Sequence, residues 1–197
     1  MTTELIEEPS SSSYYVDDAF YQDLVDSFAR LDEDNPEIAE RNLRDACTAF
    51  LSREARLLDQ GRFEAWLDLF TGECAYWVPA TRPAGDPRRE IAVAFHDRRQ
   101  LEDRIFRLRT GYAWSQQPAS RTVRHVANLA LFRLPGSDRL LLRSNFQVVE
   151  FRAGDTRRLD GHAGHILLRD GNGFRIQAKQ VNLIDCDQNL RNPSIVL

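Results

Sequence analysis

The 197-residue chain is poor in several things that would otherwise direct the reading: it has one lysine, Lys179, one methionine, and three cysteines, Cys47, Cys74 and Cys186. An odd cysteine count without a CxxC pair suggests neither a disulfide framework nor a cysteine-ligated zinc or iron–sulfur site, and it fits a reducing, cytoplasmic setting. No stretch approaches the roughly 18 apolar residues of a membrane span, and the opening MTTELIEEPSSSSYY is acidic where a secretory signal would be basic and then apolar. GxxxxGK[ST], GxGxxG and GxSxG are absent too, so phosphate-loop, dinucleotide and hydrolase-elbow chemistry have no support. What remains is ordinary globular usage, 42% hydrophobic and 28% charged, in a length suited to one domain with an arm.

Charge divides the chain. Residues 1–37 hold eleven acidic residues and one basic residue, Arg30, whereas residues 38–197 hold nineteen acidic and twenty-five basic. The expected organisation is therefore an acidic N-terminal arm, residues 1–36, and a body, residues 37–197. Twenty-five of the twenty-six basic residues are arginine, the planar bidentate donor favoured in buried and interfacial ion pairs. These arginines alternate with carboxylates, as in RREARLLDQGR and DRRQLEDR, so no nucleic-acid stripe is expected.

Hydrophobic spacing supplies the elements. A short helix is expected in the arm around Asp18 to Arg30, an amphipathic helix through Leu43, Cys47, Phe50, Leu51 and Leu58 stopped by Gly61, and a shorter one from Phe63 closed by Gly72. CAYWVPA reads as a strand with Pro79 placing its end at an edge, and EIAVAFHD as an extended segment. Asp97 with Gln100 forms a capping-box pattern for a helix carrying Leu101, Ile105 and Leu108. Strands are then expected at 121–134, 139–152, 157–169 and 174–186, separated by PGSD, AGD and DGNG turns. This order describes an α+β body in which a curved antiparallel sheet wraps its helices. That outline resembles the nuclear-transport-factor-like (NTF2-like, cystatin-like) cone, a fold that hosts enzymes and scaffolds alike.

The four histidines are the natural places to look for chemistry. His162 and His165 form an HxxH pair, but residues three apart on a regular strand point to opposite faces, so chelation would need a bulge. His96 beside Asp97 is expected to serve as a polar cap or interface residue. In the alternating run TVRHVANLAL, His125 shares a face with Val123, Ala127 and Leu129 and is expected to look into the cone. There it would be a core histidine bonded to a carboxylate such as Asp103 or to backbone; the alternative is an acid/base site with an inward carboxylate or Tyr76 in a stand-alone dehydratase or isomerase. Trp66 and Trp77 are expected in the core.

Two segments go beyond architecture. FLSREARLLDQGRFEAWLDLFTGECAYWVPATR, residues 50–82, and FHDRRQLEDRIFRLRTGYAWSQQPASRTVRHVANL, residues 95–129, closely resemble the small (β) subunit of bacterial aromatic-ring-hydroxylating dioxygenases, with Trp66, Trp77, Trp114, Pro118 and His125 in order. The agreement is weakest at RLDGHAGHILLRD, where that family usually has a more basic stretch. The resemblance implies a structural subunit with no metal and no catalytic residue. It would assemble with an α subunit carrying a Rieske [2Fe–2S] cluster and a mononuclear iron, typically as an α3β3 hexamer with a β trimer as its stem. The oxygenase would add both atoms of O2 to an aromatic ring, drawing electrons from NAD(P)H. The sequence agrees in offering no recognisable two-cysteine, two-histidine or two-histidine, one-carboxylate set. Arg104 and Arg121 are expected to pair with Glu102, Asp103 or Asp97 and fix the long helix to the first meander strand, or to meet the α subunit. Trp114 is expected as a lid on the cone or an anchor into a neighbouring subunit.

Overall fold

The computed structural model describes residues 16–110, 116–188 and 195–197. Trp114 therefore lies outside the described residues. Among the described residues four α-helices and six strands follow one another: α1 (Asp18–Ala29), α2 (Arg41–Asp59), α3 (Phe63–Leu67), β1 (Phe70–Pro79), β2 (Ala92–Asp97), α4 (Arg98–Thr110), β3 (Arg121–Arg133), β4 (Leu140–Arg152), β5 (Asp155–Asp170) and β6 (Gly173–Leu183).

Local chemistry sets the helix ends. Asp17 caps α1 by accepting from the Phe20 amide at 2.8 Å. Gly61, at φ +65°, lets the chain turn out of α2 while its amide and that of Arg62 bond the carbonyls of Leu58 and Leu57, a double closure that a residue with a Cβ would strain. Asp97 and Gln100 cap α4 reciprocally: the Asp97 side chain accepts from the Gln100 amide at 2.8 Å, and the Gln100 side chain from the Asp97 amide at 3.0 Å. The helix after Gly61 is shorter than its pattern suggested. It ends at Leu67, and Gly72 lies within β1.

The strands form one sheet in the order β2-β1-β6-β5-β4-β3. The last four form the expected antiparallel meander, and β1 returns alongside β6 in parallel. Strand β1 is consequently internal; Pro79 sits at its end, at a register shift opposite Ala92, and does not mark an edge. Helices α2 to α4 pack into the concave side over a core that includes Leu43, Cys47, Leu51, Trp66, Tyr76, Leu101, Leu142 and Ile176. Helix α1 covers one end of the convex side with Phe20, Leu24 and Phe28 against Trp77, Leu141 and Ile166. The helix expected in the acidic arm is thus part of the packed body.

Strand β3 carries the decisive irregularity. Asn128 adopts φ +53°, and one extra residue enters β3 between Ala127 and Ala130. Side-chain phase reverses there: Leu131 pairs with Leu142 facing the concave core, whereas upstream Arg124 pairs with Val148 on that same side. The carbonyls beside the bulge are clamped, Leu129 by Arg44 at 2.5 Å and Leu131 by the Ile38 amide at 2.8 Å.

Gly164 on β5 tests how tightly α1 is seated. A Cβ there would lie 2.6 Å from Leu31 and 2.8 Å from Phe28. Gly164→Ala should destabilise the fold by about 1–3 kcal/mol in urea unfolding and accelerate tryptic cleavage at Arg30. Unchanged stability and cleavage would show that α1 contributes little to the body.

Candidate functional site

Glu54 lies on the apolar face of α2, and its carboxylate projects into the concave core with only 5% of the side chain exposed. Oε1 accepts from Lys179 Nζ at 2.8 Å and from Trp66 Nε1 at 3.1 Å; Oε2 faces His165 Nε2 at 3.0 Å. An ionised carboxylate only accepts, so Nε2 carries the imidazole proton. Burial alone would raise the Glu54 carboxyl; the charge of Lys179 and the hydrogen bonds from Lys179 and His165 outweigh it and hold it below the ordinary carboxylate range. Burial lowers Lys179, with Glu54 opposing. His165 Nδ1 is buried and has no partner among the described residues.

A second polar layer covers the first. The backbone of Ile195–Leu197 is buried here and is held by side chains. Tyr76 Oη accepts from the Leu197 amide at 3.0 Å and donates to the Leu197 carbonyl at 3.3 Å. Arg104 Nη2 donates to the Ile195 carbonyl at 2.7 Å. Arg124 donates to the Val196 carbonyl and to Asp59 at the end of α2, the latter at 2.5 Å. Asp59 also accepts from the Thr122 hydroxyl and the Arg124 amide, which fastens α2 to β3.

His96 stacks on Tyr76 with ring centres 6.1 Å apart and accepts from Arg104 through Nδ1 at 3.4 Å, an arrangement that needs a neutral ring. Burial, with Arg104 and Arg107, lowers its pKa to about 4. Burial pushes the thiols the other way, Cys47 up to about 11 and Cys74 up to about 12, which removes both as thiolate nucleophiles near neutrality.

The expected site residues separate. Arg104 turns into the concave core, where it meets the Ile195 carbonyl and the Tyr76 ring. Arg121, Val123, His125 and Ala127 alternate along β3 and are exposed on the convex face. His125 therefore does not look into the cone, and the expected pairing with Asp103 or Tyr76 has no geometry. Arg124 takes the inward phase because Asp59 meets its charge, and the bulge at Asn128 restores the apolar phase farther along. The HxxH pair does diverge: His165 is inside, whereas His162 borders a convex cleft of about 470 Å³ shared with Phe28, Trp77, Arg82 and Asn182. Trp66 and Trp77 are buried, at 0% and 2% exposure. Among the described residues no group of three or more His, Cys, Asp or Glu is placed to hold a metal ion, and no helix is long and apolar enough to cross a membrane.

Sequence reasoning missed the Glu54, His165 and Lys179 cluster. Its signals were a carboxylate in phase with Cys47, Phe50, Leu51 and Leu58, and the only lysine in the chain set in the apolar alternation of β6.

The convex end of the sheet that α1 leaves open forms a distinct surface. Arg121 lies over the Phe151 ring at 4.5 Å, Val123 pairs across to Val149, and His125 pairs across to Gln147. Val123, on the edge strand β3, is 55% exposed and Phe151, on the neighbouring β4, is 37% exposed, so the two form an exposed apolar patch.

A six-stranded curved sheet closed over helices on its concave side, with a polar cluster at the centre, defines an α+β cone of the NTF2-like type. The family described as "Ring hydroxylating beta subunit" matches residues 53–188, more than half of the chain, and the chain belongs to that family. Among relatives, the 2-halobenzoate 1,2-dioxygenase small subunit of Burkholderia cepacia is 32% identical over 141 residues, covering 68% of this chain and 84% of that one. The benzoate 1,2-dioxygenase β subunit of Burkholderia mallei superposes with a TM-score of 0.62 at 26% identity, covering 76% and 95% of the two chains. A chain of naphthalene 1,2-dioxygenase with indole bound in its active site shares the fold with a TM-score of 0.71 at 21% identity, covering 92% of this chain and 95% of that one.

Two measurements check the polar core. Lys179→Met leaves Glu54 buried without its main counter-charge and should cost about 3–5 kcal/mol in urea unfolding; a cost below about 1 kcal/mol would show that the carboxylate does not depend on it. For His96, the folded pKa near 4 lies below the ordinary 6.5, so the native state binds fewer protons between those values. Its contribution to stability is complete above pH 6.5 and declines as pH falls toward 4. His96→Gln should flatten that part of the pH–stability curve, and an identical slope in wild type and variant would refute the assignment.

Proposed function

We propose that this chain is the structural, non-catalytic β subunit of an aromatic-ring-hydroxylating dioxygenase. It joins an α subunit that bears the Rieske [2Fe–2S] cluster and the mononuclear iron, in a cytoplasmic α3β3 hexamer. The α subunit performs the cis-dihydroxylation with O2 and electrons derived from NAD(P)H. The small subunit supplies contact area and holds three large subunits about a common axis.

The observation that carries this reading is the convex face of β3 and β4, which no helix among the described residues covers. Arginine, aromatic and aliphatic side chains lie together there in the mixture characteristic of interface centres, and their register keeps them out of the chain's own core. Family membership supports the large subunit as the partner, and the names of the relatives favour an aromatic substrate, with benzoate-type acids prominent. Stand-alone dehydratase or isomerase chemistry loses its expected histidine, because His125 is on the outside.

Co-expression with the large subunit should yield one complex containing both chains in equal number, iron and ring-hydroxylating activity, while the isolated small subunit turns nothing over. Val123→Asp combined with Phe151→Asp should abolish co-purification and leave the melting temperature of the isolated small subunit within a few degrees of wild type. A complex that forms equally well with both aspartates in place would dismiss this face as the docking surface, and turnover by the isolated chain would dismiss the structural reading.

A further inference from the structure

Three small cavities line the concave side, of about 40, 130 and 10 Å³, and residues 195–197 form part of the wall of every one. Leu197 borders the first, Ile195 and Val196 the second, Ile195 and Leu197 the third. This short segment borders all three. It is also held as a ligand is held. Its carbonyls and an amide are met by side chains reaching inward from three separate elements, Tyr76 of β1, Arg104 of α4 and Arg124 of β3, and it takes no place in the sheet ladder.

The polar floor beneath it is incompletely used. His165 Nδ1 and Arg124 Nε are both buried without a partner among the described residues, and both residues line the 40 Å³ cavity beside Leu197. With the proton on Nε2, Nδ1 is an acceptor, whereas Arg124 Nε–H is a donor. A hydroxyl can satisfy both kinds of atom at once, and the cavity has room for one water-sized group. Leaving two such atoms unmet costs about 1–3 kcal/mol each, so the floor favours a polar group beyond those that the described residues supply.

We propose that the interior of the cone is a binding site for a small branched aliphatic molecule carrying amide carbonyls or a hydroxyl, occupied in this chain by its own residues 195–197. The aliphatic body takes the place of the Leu197 and Ile195 side chains; the carbonyls take the donors of Arg104 and Arg124; a hydroxyl meets His165 Nδ1. The site is distinct from the convex docking face and does not depend on it.

The test compares the chain of residues 1–197 with one ending at residue 194. A chain ending at residue 194 should bind N-acetyl-Ile-Val-Leu by isothermal titration calorimetry with a dissociation constant below 1 mM, whereas the intact chain should not bind it. Arg104→Lys in the shortened chain, which replaces a planar donor by a point charge, should weaken the peptide about tenfold. Failure of a folded shortened chain to bind the peptide, or equal binding by the intact chain, overturns the proposal. If the shortened chain does not fold, the decision passes to Leu197→Ala, which keeps the backbone bonds to Tyr76 and opens space beside His165. Millimolar 2-methylpropan-1-ol should raise the melting temperature of Leu197→Ala without affecting wild type, and should move the ¹⁵N resonance of His165 Nδ1. An unmoved resonance, or no stabilisation, refutes the site.

Discussion

The concave half of the structure depends on one buried carboxylate. Glu54 receives Trp66 from α3, His165 from β5 and Lys179 from β6, so a single side chain of α2 ties the helical layer to the middle of the sheet. An ion pair in such surroundings adds little net stability over an apolar replacement, because desolvation offsets most of the attraction, but it severely penalises any arrangement that separates the partners. Sliding α2 by one turn would leave a charge in the core. The apolar contacts of Cys47, Leu51 and Leu58 tolerate several packings; the carboxylate tolerates one.

A similar logic operates at the far end of α2. Asp59 accepts from Thr122 and twice from Arg124, which commits β3 upstream of the bulge to turning Arg124 inward. The strand must then turn Arg121, Val123 and His125 outward. One extra residue at Asn128 reverses the phase so that Leu131 can still enter the core. The exposed face is a geometric consequence of an internal ion pair and a bulge, and the same two features make the surface apolar where a monomer would be expected to be polar.

Element types were legible in the sequence because helix caps and turns act locally: Asp97 with Gln100, Gly61, and the glycines at 136, 154 and 171 lie where the pattern placed them. The meander was legible for the same reason. Facing was less so. TVRHVANLAL alternates convincingly, but alternation states only that two faces differ; which one is inside was decided by Asp59, more than sixty residues earlier. The polar core was harder still, since Glu54, His165 and Lys179 come from three elements and each looks unremarkable alone. A lone lysine in an apolar strand and a glutamate on the apolar side of a helix are contradictions singly and become an explanation only as a pair.

Placing polar groups inside a cone ordinarily signals a reaction chamber, and this interior has the parts of one: an imidazole oriented by a carboxylate, a buried lysine, and tyrosine and arginine donors above them. Residues 195–197 stand over the floor with their carbonyls bonded and their side chains buried, and Leu197 borders the cavity beside His165. The groups then persist because removing any one of them leaves its partners buried and uncompensated. The interior of this subunit is thus polar at its centre, while its exposed apolar side chains Val123 and Phe151 lie on the opposite face of the sheet.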